Sequence, residues 1–155
     1  EHKKSDSLKK IAYFMGASIK EKCYPLDRFE AVIDRLAAIY PEHQHCILQG
    51  AKPDEKFQDV FNRLSQKHSN IELVELMPVN DLVDWCCDIQ LLVSNDTGVR
   101  NLAIATHTPT LGLFFEAIPY RYIPRYEHIH SALLNTKNTI VEASEVVEKV
   151  KALLA

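Results

Sequence analysis

The stretch IQLLVSNDTGVRNLAIATH, residues 89–107, decides the fold. It begins with a short apolar run at 89–93, crosses the polar residues of SNDTG at 94–98, and continues into a segment with helical spacing. Short apolar runs of this kind are typical of strands that are covered on both faces. The stretch therefore predicts a buried strand that turns directly into a helix, which is the repeating unit of parallel α/β sheets.

The same alternation of strand and helix extends in both directions from this stretch. We predict strands at 10–16, 45–50, 70–76, 89–95 and 108–115. We predict helices at 25–40, 54–68, 78–88, 97–107 and 144–154. Pro25 suits the first turn of the first helix, and Ser144 is the expected N-cap of the last. A loop rich in Pro, Tyr and Arg precedes the last helix. The alternation favours an α/β fold, a Rossmann-like three-layer domain with a mostly parallel sheet of about five or six strands.

The bulk composition fits one ordinary globular domain. The chain has 155 residues, of which 46% are apolar and 25% charged. The polar start at 1–9 is expected to be a linker left from a longer protein, and 10–155 to form the domain. The four cysteines have neither zinc-site nor disulfide-framework spacing, which is consistent with a reducing cytosol. The net charge of −3 argues against a nonspecific nucleic-acid binder, and no apolar run reaches the roughly 18 residues of a membrane span.

The polar residues after the strand at 89–95 fall where this fold binds ligands. Open parallel sheets hold ligands at the carboxyl ends of their strands, near the point where the strand order reverses. A helix that starts at Thr97 and Gly98 offers unpaired N–H groups to an anion such as a phosphate. The alternative is that Asp96 or Thr97 only caps the helix. The spacing alone leaves both interpretations open.

Three stretches of the chain resemble elements of one enzyme family. GASIKEKCYPLDRF at 16–29 resembles a small-residue turn with a Lys-aromatic-Pro element, and LQGAKPDEK at 48–56 resembles a strand-Gly-helix unit. VSNDTGVRNLAIATHTPTLGLF at 93–114 resembles a D-[ST]-G-x-x-H-x-A element followed by a T-P strand. In order and separation they are similar to the C-terminal domain of the bacterial lipopolysaccharide heptosyltransferases. Those enzymes are glycosyltransferases of the GT-B fold that use ADP-heptose.

The resemblance implies a donor-binding domain that helps move a heptose or related sugar from a nucleotide diphosphate to a lipopolysaccharide or other surface glycan. It implies two catalytic residues, Lys22 facing the pyrophosphate and Asp96 beside the donor sugar. The charge that grows on the leaving diphosphate must be stabilised where it develops. The resemblance implies that this happens without a metal or other cofactor.

The resemblance also implies a set of binding residues and exposes two departures. The implied donor and phosphate-binding residues are Ser18, Lys20, Thr97, Gly98 and Asn101, and the implied nucleotide-binding residues are Met77, Leu82 and Lys52. Asn101 stands where the family usually has histidine, so it can donate a hydrogen bond but carries no proton. Lys52 stands near the position of a family acid that contacts the ribose, with Asp54 and Glu55 just after it.

A GT-B enzyme has a second, N-terminal domain that binds the acceptor, so we expect that partner in the same or another chain. No nucleic-acid partner is expected. The expected location is cytoplasmic, with peripheral attachment of the full enzyme to the inner membrane. One alternative is a degenerate module that binds a nucleotide or a protein without catalysis. Another is a different Rossmann-like enzyme, such as a sugar-nucleotide epimerase or an NAD-dependent reductase, although GASIKEK lacks the G-x-G-x-x-G that a reductase needs.

Overall fold

The computed structural model describes residues 9–17, 23–95, 97–115, 130–136 and 139–155. The strands are β1 (Lys10–Phe14), β2 (Gln44–Leu48), β3 (Ile71–Val74), β4 (Leu91–Asn95), β5 (Thr110–Phe115) and β6 (His130–Asn135). The helices are α1 (Leu26–Ile39), α2 (Gln58–Lys67), α3 (Val79–Cys87), α4 (Gly98–Ala105) and α5 (Ala143–Leu154). Apart from Lys9, the linker predicted at 1–9 lies outside the described residues, so it stays a prediction.

The six strands form one parallel sheet. Their order is β3-β2-β1-β4-β5-β6, and each neighbouring pair is parallel. The predicted Rossmann-like α/β fold is therefore confirmed. The order runs one way from β1 to β3 and the other way from β4 to β6, so the switch point lies between β1 and β4. Ligands of such sheets bind outside the carboxyl ends of the strands at this point.

Side chains alternate between the two faces of the sheet and build a separate apolar cluster on each. Ile11 and Val93 belong to a cluster with the buried faces of α1 and α5. Ala12 and Leu92, one residue along each strand, belong to a second cluster with Cys86 of α3 and with α4. This alternation is the period of two expected of strands, and it explains why central strands read as continuous apolar runs.

The second helix begins later than predicted. The expected start at residue 54 is wrong, because Pro53–Glu55 forms a short 3-10 turn and α2 starts at Gln58. Phe57 lies between the two with a left-handed backbone (φ 52°). The amide of Gly50 donates to the carbonyl of Glu55 at 2.8 Å, and Lys56 Nζ donates to the carbonyl of Gly50 at 3.0 Å. These bonds fold residues 50–57 back on themselves before the helix can start.

Two elements near the end of the chain differ from the predictions. Strand β6 was not predicted, because HSALLN is an edge strand with polar ends and no clear apolar alternation. The N-cap expected at Ser144 is wrong, since α5 starts at Ala143 after Glu142. Pro25 precedes α1, at its N-cap, instead of lying within its first turn. No helix among the described residues is long and apolar enough to span a membrane.

A buried histidine couples β2 to β1. The Tyr13 hydroxyl donates to Nδ1 of the fully buried His45 at 2.8 Å, and Nε2 of His45 donates to the carbonyl of Tyr40 at 3.2 Å. This arrangement requires the neutral imidazole with its proton on Nε2. Burial lowers the pKa of His45 from its ordinary 6.5 to about 4.

We predict that acid destabilises the fold through His45. The unfolded chain takes up a proton at this side chain below about pH 6.5, whereas the folded chain takes it up near pH 4, so stability falls across that window. The loss approaches about 3 kcal/mol at its largest. Urea unfolding of wild type and His45→Gln between about pH 7 and pH 4.5 checks this. The variant should show a shallower decline, because it has no imidazole to protonate at this position.

Candidate functional site

An apolar pocket lies at the carboxyl edge of the sheet, beside the switch point. Its volume is about 180 Å³. It is lined by Phe14, Leu48, Gln49, Gly50, Ala51, Glu55, Glu75, Leu76, Met77, Leu82 and Val99. The lining comes from the residues at and beyond the ends of β1, β2 and β3, and from the starts of α3 and α4. Leu76 and Val79 are more than half exposed at this edge, so an apolar surface continues outside the pocket.

The carboxylate of Glu55 is the charged group most deeply buried in this pocket. Its residue is 9% exposed although the neighbouring Asp54 and Lys56 are exposed. A Cβ on Gly50 would lie 2.6 Å from Oε1 of Glu55, and a Cβ on Gly16 would overlap Oε2. The chain therefore carries a glycine two residues after β1 and two residues after β2, at the places where this carboxylate passes. Glu55 reaches the pocket because the 3-10 turn and the left-handed Phe57 turn it inward.

The first turn of α4 follows β4 and contributes Val99 to the pocket. Thr97 is its N-cap, and its Oγ1 accepts from the backbone N–H of Arg100 at 3.3 Å. The Ser94 hydroxyl lies 3.2 Å from Thr97 Oγ1 and donates to the carbonyl of Asn95 at 2.7 Å. Gly98 is exposed, and a Cβ there would meet no described atom within 4 Å. Thr97 therefore caps the helix, and no part of the chain that the structure describes would obstruct a side chain at position 98.

A buried cation anchors this turn to the sheet. Arg100 is fully buried, and its guanidinium carbon lies 4.8 Å from the centre of the Phe114 ring on β5. The side chain fits because residue 112 is glycine: a Cβ there would lie 2.9 Å from Arg100 Nε and 2.5 Å from Phe114 Cε2. A guanidinium over an aromatic face is attractive, more so when it is desolvated. Arg100, which the sequence analysis did not select, thus fixes the direction of α4.

The structure places part of the predicted site together. Met77 and Leu82 line the pocket, while Thr97 and Gly98 begin α4 and Asn101 is exposed one turn later. Lys52 is exposed and does not line the pocket, and Glu55 from the same loop does. The available signal for Glu55 was the pair of glycines, Gly16 and Gly50, that follow β1 and β2. The predicted Ser18, Lys20, Lys22 and Asp96 lie outside the described residues.

The described side chains include no group of three or more His, Cys, Asp or Glu that could hold a metal ion. None of the four cysteines, all of which the structure describes, forms a disulfide, and two of them are buried. Burial raises the pKa of the Cys46 thiol to about 12, so it stays protonated at neutral pH. The metal-free chemistry implied by the resemblance stays a prediction.

Comparison with known sequences identifies one family. Residues 1–151 match glycosyltransferase family 9 (heptosyltransferase). Lipopolysaccharide heptosyltransferase 1 of Campylobacter coli is 24% identical over 114 residues, which cover 73% of this chain and 33% of that protein. The chain thus spans about a third of this curated relative.

Solved structures share the fold over nearly the whole chain. E. coli heptosyltransferase WaaC with ADP has a TM-score of 0.79 at 18% identity, covering 96% of this chain and 45% of that one. E. coli ADP-heptose LPS heptosyltransferase II gives 0.76 at 18%, covering 97% and 47%. UDP-GlcNAc 2-epimerase from Neisseria meningitidis bound to UDP-GlcNAc gives 0.65 at 16%, covering 96% and 36%. At these identities the likeness shows the fold, and this chain spans less than half of each.

We predict that Thr97→Ala destabilises the chain by about 1 kcal/mol, because the N-cap acceptor for the amide of Arg100 is lost. Urea unfolding at neutral pH measures the change. Thr97→Ser keeps the hydroxyl and should stay within a few tenths of a kcal/mol of wild type. Equal stabilities for the alanine variant and wild type would contradict a stabilising cap.

Proposed function

This chain belongs to glycosyltransferase family 9, the heptosyltransferase family, and we propose that it is the nucleotide-sugar donor-binding domain of such an enzyme. The sugar is a heptose or a related sugar, and the acceptor is lipopolysaccharide or another surface glycan. One observation carries the proposal: an apolar pocket with a buried carboxylate lies at the strand-order switch, close to a helix N-terminus.

The parts of a nucleoside diphosphate match the parts of the site in order. Met77 and Leu82 offer apolar contact to the base. The carboxylate of Glu55 accepts hydrogen bonds from the ribose hydroxyls. The first turn of α4 receives the diphosphate through its free N–H groups. ADP in the E. coli WaaC structure and UDP-GlcNAc in the epimerase structure support a nucleotide ligand for this fold.

The chemistry assigned to this half is stabilisation of the leaving group. Breaking the bond between sugar and diphosphate leaves negative charge on the phosphate oxygens, and preorganised donors lower that barrier. We assign this task to Lys22, assisted by Lys20 and Ser18 and by the start of α4 at Thr97–Gly98. Asp96 lies beside the donor sugar, and Asn101 donates a hydrogen bond where relatives carry histidine. No metal is required in this scheme.

The acceptor and the rest of the active site belong to a second Rossmann-like half, in the same or another chain. The chain spans 45% of the WaaC structure, which leaves room for such a half. Alone, the described domain binds nucleotide and transfers little sugar. The assembled enzyme acts in the cytoplasm, at the membrane surface where its acceptor is made.

A nucleotide-binding module without catalysis is the second candidate. Asn101 favours it, because an amide cannot replace a histidine in proton transfer. Lys52, which stands near the position of the family's ribose-contacting acid, does not favour this candidate, because Glu55 supplies a carboxylate from the same loop. The balance of the described residues therefore favours donor binding by an enzyme domain.

We predict that ADP raises the melting temperature of the chain more than UDP, GDP or NAD does. A ligand at about 100 times its Kd adds about 2.7 kcal/mol, which for this size corresponds to roughly 5–10 °C. Differential scanning fluorimetry measures the shift. Lys22→Ala should remove most of it, and Lys151→Ala, at an exposed residue of α5, should not. If none of the nucleoside diphosphates raises the melting temperature, the proposal is contradicted.

We predict that Glu55→Gln weakens ADP binding about tenfold, because an uncharged amide replaces a carboxylate acceptor. Isothermal titration with ADP and with 2′-deoxy-ADP measures the loss, which should be smaller for the deoxy nucleotide. Asp54→Asn makes the same chemical change one residue away on an exposed side chain and should bind like wild type. Equal losses in the two variants would mean that only the net charge matters.

A further inference from the structure

Asn95 ends β4 at the strand-order switch with its side chain turned away from α4. Leu91, Val93 and Asn95 share one face by alternation, and the first two belong to the cluster with α1 and α5. Asn95 is fully buried. A buried amide at the end of a central strand is costly unless its donors and acceptor are paired.

The amide of Asn95 is paired with backbone from both ends of the first crossover loop, residues 17–23. Nδ2 donates to the carbonyls of Met15 at 3.0 Å and Gly16 at 3.2 Å, where the chain leaves β1. Oδ1 accepts from the N–H of Tyr24 at 3.0 Å, where the chain returns before α1. One side chain therefore holds the exit and the re-entry of this loop.

The same residue is tied to the start of α4 through its backbone. Ser94 donates its hydroxyl to the carbonyl of Asn95 and contacts the hydroxyl of Thr97, the N-cap of α4. The ends of the crossover loop are thus bonded to the side chain of Asn95, and the first turn of α4 is linked to its backbone through Ser94. A change in the side chain of Asn95 moves one relative to the other.

A second asparagine makes a matching set of bonds elsewhere on the same edge. Asn135 ends β6, is fully buried, and donates through Nδ2 to the carbonyl of Phe114 at 3.2 Å. Its Oδ1 accepts from the N–H of Val141 at 2.7 Å. Tyr24 joins the two sets, because its hydroxyl donates to the carbonyl of Val141 at 2.6 Å. Asn135 therefore does similar structural work at the last strand of the sheet.

We propose that Asn95 is a positioning residue for diphosphate binding. It holds the carboxyl end of β1 at Met15 and Gly16, and Tyr24 ahead of α1, against the first turn of α4. The assignment rests on the proposed function, in which the first turn of α4 receives the diphosphate. Asparagine suits the position because it presents two donors and an acceptor in one plane, whereas aspartate has no donor for the two carbonyls.

The test compares Asn95→Ala with Asn135→Ala in the 155-residue chain. Kd values for ADP and AMP are measured by isothermal titration, and global stability by urea unfolding. Both variants lose a buried amide and should be destabilised. Asn95→Ala should reduce the ratio of ADP affinity to AMP affinity roughly tenfold or more, because a displaced start of α4 misplaces the N–H groups that receive the β-phosphate. Asn135→Ala should keep the wild-type ratio.

A second variant covers the case in which Asn95→Ala does not fold. Asn95→Ser keeps one hydrogen-bonding group, and its ratio of ADP affinity to AMP affinity is measured in the same way. Hydrogen exchange is measured as well, and the amide of Tyr24 should lose protection because its acceptor is removed. An unchanged ratio in a folded Asn95 variant, while wild type binds ADP, overturns this assignment and leaves the proposed function intact. Absence of ADP binding by wild type overturns the proposed function and this assignment together.

Discussion

The fold depends on how the carboxyl ends of β1 and β4 are held together. These two strands are central and buried on both faces, so every backbone group at their ends needs a partner inside the protein. The Asn95 amide supplies three such bonds. It thereby closes the first crossover at the place where the strand order reverses. The apolar pocket then lies at this edge, and the start of α4 contributes Val99 to its lining.

Periodicity identified the layers because burial on both faces leaves a clear trace in the sequence. Short apolar runs marked the five strands from β1 to β5, and spacing of three and four residues marked the helices. Apolar periodicity does not predict an element that is buried on one side only, or one whose conformation is set by local hydrogen bonds. Among the described strands β6 pairs only with β5, and the 3-10 turn at Pro53–Glu55 takes up residues that were predicted to begin the second helix.

The candidate site was partly predictable for a related reason. Met77 and Leu82 were selected by resemblance and line the pocket. Position along the loop put Lys52 where the family has its ribose-contacting acid, but which side chain points inward depends on the turn that ends at Phe57. No linear pattern encodes that turn. Asn95 was overlooked because the neighbouring Asp96 and Thr97 carry the more familiar chemistry, while a buried amide shows its role only through its three-dimensional partners.

Gly98 separates the demands of folding from those of ligand. Glycine loses more backbone freedom on folding than alanine does, and no described neighbour would obstruct a methyl group at position 98. Packing among the described residues therefore does not require glycine at position 98. It does require glycine at position 112, because a side chain there would collide with Arg100 and Phe114. Among proteins with this sheet, the residue at position 98 should therefore vary with the ligand that is bound, whereas the residue at position 112 should vary with the size of the side chain that packs at position 100.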